Sequence, residues 1–198
     1  VVRQPLPHDS AVKHVTGAAV YIDDMLEPAG ILHAVPGYAP IAAGRATRID
    51  LDAVRKAPGV VDVLTAADVP GTNDISAKQI GDDPAITPDK VMFYGQVLFV
   101  VLAESRDAAL RARKLARVAT APGMPIIDVD DAIVADSHVH ADYGFSRGDA
   151  ADEIARSPRD VTGEFRMGGQ EHFYLEGQVA LAIPGEDGDM VIHSSTQH

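Results

Sequence analysis

The sequence predicts a mixed α+β fold, and three observations lead there. Short β-branched runs alternate with helix-like runs through the first 135 residues. Apolar residues make up 46% and charged residues 23% of the 198, which suits a packed core and not a disordered chain. The longest apolar run covers only residues 97–103, far short of the ~20 residues of a membrane-spanning helix.

Residues 18–22, Ala-Ala-Val-Tyr-Ile, alternate as a strand does and stop at Asp23 and Asp24. Residues 31–38 form a second predicted strand, in which Pro36 requires an edge or a bulge because proline has no N–H for a ladder. Asp50 can cap a short helix over 51–57, ended by Pro58-Gly59. Residues 60–64, Val-Val-Asp-Val-Leu, read as a strand, and 65–68 as a single turn. The stretch 71–89, rich in Gly, Pro, Asp and Asn, reads as a long surface loop. Strands over 91–94 and 97–103 are joined at Gly95-Gln96. Ser105 caps a helix reaching about Val118, with Ala108, Ala112, Leu115 and Ala116 on one face and a solvated basic face opposite. Asp128 starts a further helix over 129–135.

The character then changes. Residues 137–157 are polar and contain a helical run at 149–155, whereas 160–166, 171–182 and 189–195 read as strands, the last two parted by a turn at 184–188. The predicted division is a first domain over 1–135, a linker over 136–158 and the opening strands of a second domain over 159–198. With Val1 in place of Met and a strand-like end lacking a closing turn, the chain reads as cut from a longer one.

Composition narrows the function. Seventeen basic against 29 acidic residues give a net charge of −12, which argues against nucleic acid and anionic membranes as partners. The absence of cysteine excludes disulfides, thiolate metal sites and a cysteine nucleophile.

Four readings of the chemistry compete. His138 and His140, two apart and flanked by Asp136 and Asp142, would share one face of a strand and could hold a divalent ion, although their polar setting suits a solvated role. His8 and His14 have no metal-ligand spacing. Asp23 and Asp24 would point to opposite strand faces and read as turn caps rather than a catalytic pair. Neither a phosphate-binding glycine loop nor a nucleophile elbow occurs. The run Met167-Gly168-Gly169-Gln170-Glu171-His172-Phe173-Tyr174-Leu175-Glu176 combines two glycines, which admit a ligand close to the main chain, with an amide that both donates and accepts. The residues alone leave a structural and a functional role for it equally open.

That run resembles the start of the molybdenum-binding domain in the xanthine dehydrogenase and aldehyde oxidase family, and Glu171-His172-Phe173-Tyr174 is similar to the xanthine-oxidising members. The resemblance covers nearly the whole chain. Pro5-Leu6-Pro7-His8, Thr16-Gly17-Ala18 with Tyr21, Asp23 and Asp24, Pro58-Gly59-Val60, Ala67-Asp68-Val69-Pro70 and Arg147-Gly148-Asp149 resemble the family's α/β hammerhead domain and its exit segment. Ser195-Thr196-Gln197 is similar to a later strand of the family. Gly95-Gln96-Val97 departs from the family's Gly-Gln-Pro, and Ala119-Thr120-Ala121-Pro122 replaces a common Tyr-Glu pair.

The resemblance implies an α/β hammerhead domain followed by the incomplete start of a molybdopterin-binding domain. It implies that Gln170 hydrogen-bonds an oxygen on molybdenum and that Gly168 and Gly169 help hold the molybdopterin, with no direct metal ligand in the chain. The implied activity is oxidation of hypoxanthine and xanthine to urate, with water as the oxygen source and NAD as the final acceptor. FAD and 2Fe-2S clusters would sit in a small partner subunit of a cytoplasmic, oligomeric enzyme, and the chain alone would be inactive. Alternatives are an aldehyde-oxidising molybdenum hydroxylase, a non-catalytic hammerhead interaction module, and a hydrolase with metal at His138 and His140.

Overall fold

The computed structural model describes residues 3–76, 80–139, 141 and 143–196. It is a mixed α+β structure that divides into two compact units, Val1–Pro125 with Gln178–His198, and Ile126–Gly177.

In the first unit, helix α1 (Ala11–Thr16) precedes two three-stranded antiparallel sheets. One has the order β1 (His33–Tyr38), β5 (Val97–Ala103), β3 (Val60–Leu64). The other has the order β4 (Lys90–Val91), β2 (Gly44–Asp50), β6 (Arg117–Pro122). The central place of β5 follows from its composition, Val-Leu-Phe-Val-Val-Leu-Ala, which offers apolar side chains to both faces. Leu98, Phe99 and Val101 are fully buried, and each such burial contributes roughly 1.5–3 kcal/mol. Helix α3 (Arg106–Arg113) adds Ala108, Ala109 and Ala112 to the same core, small side chains that let it lie close against the sheet. Short helix α2 (Asp52–Arg55) closes the core with Val54.

The predicted strand over 60–64 forms as β3, and Pro36 stands in the edge strand β1, beside a register shift at Gly37 and Tyr38. The Pro36 carbonyl accepts from the Arg113 guanidinium at 3.1 Å, and the same guanidinium lies 5.6 Å from the centre of the Tyr38 ring. Gly37 stands opposite Phe99, whose ring covers the space a β-carbon would need.

Several expectations need correction. Residues 18–21 form no strand; the Asp24 carboxylate accepts from Tyr21 N–H at 3.0 Å and closes a 3-10 turn over Ile22–Asp24. The 51–57 helix shortens to Asp52–Arg55, with the Asp50 carboxylate accepting from Asp52 N–H at 3.2 Å. The strands at 91 and 97 are not a hairpin, because β4 joins β2 in one sheet and β5 joins β1 and β3 in the other. Main-chain bonds between Ala39 and both Gly95 and Gln96 carry the chain across. Helix α3 stops at Arg113, and Arg117–Pro122 pairs with β2, a strand the sequence reading omitted altogether. The described residues of the 71–89 stretch are irregular, yet Ile86 and Thr87 are buried, and the Asn73 amide donates to Ile86 O and accepts from Ile86 N–H.

Hairpin β7 (Ala180–Pro184) and β8 (Met190–Ser194) forms around the expected turn. The second unit holds helices α4 (Val129–Val134) and α5 (Ala150–Arg156), capped by Asp128 and Asp149. Residues 160–166 and 171–179 are not strands: they have no ladder partner among the described residues, and alternation without a partner leaves the backbone irregular.

Candidate functional site

The Gly168-Gly169-Gln170 segment lies in the second unit on an exposed, irregular stretch. A β-carbon built on Gly168 or Gly169 meets nothing within 4 Å, so no packing inside this chain demands glycine at either position. Both backbones are open to close approach from outside, which is the use glycine serves at ligand sites. Gln170 is likewise exposed and carries an amide with two donor hydrogens and an acceptor oxygen.

The flanks are held by local contacts. Glu171 Oε1 accepts from His172 N–H at 3.1 Å. The His172 and Tyr174 rings stack at 5.2 Å with 6° between their planes. Between them Phe173 adopts φ +54° and is exposed, a left-handed conformation unfavourable for a bulky side chain. Upstream, Arg166 Nη1 donates to Asp130 Oδ2 of α4 at 2.8 Å and Nε donates to Glu164 Oε1 at 3.1 Å. Asp130 and then Glu164 raise the Arg166 pKa by accepting from its guanidinium. The sequence reading missed this fork; the Glu164-x-Arg166 spacing in an extended segment was its only signal.

The other candidates separate from this segment. Asp23 and Asp24 belong to the 3-10 turn near the start, with Asp24 acting as its cap. His138 Nε2 lies 3.1 Å from Asp136 Oδ1, while His140 and Asp142 fall outside the described residues, as does Gln197. Among the described residues no three His, Asp or Glu side chains gather in a way that could hold a metal ion. His14 Nδ1 and the Tyr21 hydroxyl share a hydrogen bond at 3.1 Å, and His8 Nδ1 accepts from Ser10 N–H at 3.1 Å. No helix among the described residues is long and apolar enough to cross a membrane.

Comparison with known proteins gives this layout a context. Residues 16–122 match the family model for the a/b hammerhead domain of aldehyde oxidase and xanthine dehydrogenase, and 134–198 match the model for a molybdopterin cofactor-binding domain. Xanthine dehydrogenase of Dictyostelium discoideum is 34% identical over 197 residues, which is all of this chain and 14% of that protein. Aldehyde oxidase 2 of Rattus norvegicus is 35% identical over 198 residues, 99% of this chain and 14% of that protein. In structure, 96% of the chain matches 23% of the aldehyde oxidoreductase from Desulfovibrio desulfuricans, with a TM-score of 0.81 and 26% identity. The chain thus spans about one-seventh of the length of the curated relatives it matches. With one family model over most of its first unit, a second over the stretch carrying Gln170, and similarity along its full length, the chain belongs to the aldehyde oxidase and xanthine dehydrogenase family.

Proposed function

We propose that these residues serve a molybdenum hydroxylase that oxidises hypoxanthine and xanthine to urate, with NAD as the final electron acceptor. The observation that carries this reading is the run Gly168-Gly169-Gln170-Glu171-His172-Phe173-Tyr174, which lies within the stretch matched by the cofactor-binding model. The residues suit the group: Gln170 provides an amide donor, and no atom blocks approach to the glycine backbones. When bound, a molybdenum–molybdopterin group supplies transfer of water-derived oxygen to a substrate carbon and takes up two electrons.

In this reading the Gln170 amide would help hold and orient the molybdenum group through its Nε2 donor, as an outer-shell partner does. Gly168 and Gly169 let the main chain lie against the pterin, and the Arg166 fork with Asp130 and Glu164 anchors the upstream end of the segment. The hammerhead domain over 1–135, the linker over 136–158 and the incomplete start of the cofactor-binding domain over 159–198 remain the proposed division. FAD and 2Fe-2S clusters in a small partner subunit, an oligomeric assembly and a cytoplasmic setting complete the proposal.

A second reading, oxidation of aldehydes, has specific support: rat aldehyde oxidase 2 is as similar as the xanthine dehydrogenases. Assay of the holoenzyme on xanthine, hypoxanthine and an aromatic aldehyde separates the two. Faster turnover of the purines is expected, and preference for the aldehyde would replace the first reading with the second. Gln170→Ala should lower turnover by about 10–100-fold without changing molybdenum content; unchanged turnover would remove Gln170 from the mechanism.

A further inference from the structure

Asp187-Gly188 is the one place in the chain where Asp or Asn precedes glycine. It forms the tip of the β7–β8 hairpin, where Asp189 N–H donates to Glu186 O at 3.0 Å and Gly185 N–H donates to Asp189 O at 2.7 Å. Asp187 stands at φ +54° and Gly188 at φ +87°, the positive pair that a tight hairpin turn favours and that Asp-Gly adopts readily. Local conformation accounts for the dipeptide as a turn.

Its chemistry goes further. An aspartyl Cγ is one ring closure away from the next main-chain nitrogen, and a side chain on that next residue is what ordinarily crowds the closure. Gly188 has none, and a β-carbon built there meets nothing within 4 Å, so no neighbour shields the approach. Both residues are exposed to water. The Asp187 carboxyl is tied by no hydrogen bond or ion pair among the described residues. By contrast, Asp68, Asp128 and Asp149 accept from main-chain N–H groups and precede Val69, Val129 and Ala150. Ring closure requires rotation about the Asp187 Cα–C bond, from a ψ of 24°. The hairpin is a two-stranded sheet, a unit of small intrinsic stability, and its tip can make that rotation.

We propose that Asp187-Gly188 is a modification site, at which the turn converts to an isoaspartyl linkage. The Gly188 nitrogen bonds to Asp187 Cγ, the amide proton and the carboxyl hydroxyl leave together as water, and a cyclic imide closes. Water then opens the ring. Attack at Cγ restores aspartate. Attack at the main-chain carbonyl carbon breaks its bond to the Gly188 nitrogen and leaves the chain running through Cγ, with a free α-carboxylate. One water leaves and one returns, so mass and oxidation state are unchanged. The product turn is longer by one main-chain carbon.

The test keeps the 198-residue chain for weeks in mildly acidic buffer made with heavy-oxygen water. Its peptides are then fragmented by electron transfer, which distinguishes the two linkages. The expected result is a β-linked residue at 187 that carries heavy oxygen, in larger yield than at any other Asp. Retention of the α-linkage alone, a larger yield at another Asp, or an isomer without heavy oxygen would overturn the proposal. Asp187→Asn supplies a second measurement, because asparagine suits the same positive φ and closes the same ring with ammonia as the leaving group. The variant should release ammonia and reach both linkages sooner than the parent chain; an asparagine that outlasts the parent's aspartate would count against ring closure at this turn.

Discussion

A β-carbon at Gly37 would clash with the outer ring atoms of Phe99, the residue opposite it in β5. Glycine is there for space and not for backbone freedom, because Gly37 has no positive φ. Gly37→Ala should therefore destabilise the first unit by about 1–3 kcal/mol in urea unfolding. Adding Phe99→Leu to it should recover part of the loss, whereas a second independent loss would show that the ring is not the obstacle. Charge acts at the same scale in Asp68. Thr65 N–H and then the Thr65 hydroxyl donate to its carboxylate at 2.7 and 2.8 Å and lower its pKa. A lowered folded-state pKa means stability that is present above the ordinary carboxylate pKa of ~3.9 and lost as pH falls through the lower folded value. Asp68→Asn should flatten the acid side of a stability-against-pH curve, and an unchanged acid limb would contradict that.

Elements whose signals are local were legible in the sequence. Ser105, Asp128 and Asp149 each cap the helix that follows, with their side chains accepting from the N–H three residues on. Ser105→Ala should cost about 1 kcal/mol in thermal or urea unfolding, since α3 packs on the core; a neutral effect would show that the cap is dispensable. Elements defined by distant pairing were not legible. Strand β2, Gly-Arg-Ala-Thr-Arg-Ile-Asp, is polar and has one buried apolar side chain, Ala46. Its strandedness comes from pairing with β6 some 70 residues later. The reverse error arose over 160–166 and 171–179, where alternation is present and no ladder partner exists among the described residues. The candidate site divides the same way. The motif around Gln170 stands out in the sequence, and its role stays a proposal, whereas the Arg166 fork required knowing where α4 would place Asp130.

Across the whole molecule, burial is uneven. Among the described residues the buried hydrophobic ones all fall between Val35 and Ala112, while Val161, Phe165, Met167, Phe173 and Leu175 are each at least 90% exposed. Backbone without ladder bonds or burial opens first to proteases. Limited trypsin digestion of the chain should cut at Arg159 and Arg166 before the arginines of α3, followed by mass spectrometry of the products. Early cleavage at Arg111 or Arg113 would contradict this order. The core of the first unit has the opposite property at its margin. Pro36 withholds an N–H from the outer side of β1, and Arg113 occupies its carbonyl. A strand from a neighbouring molecule arriving there would find neither a donor nor a free acceptor at the middle of the edge, so the β1 edge carries its own barrier to edge-to-edge aggregation.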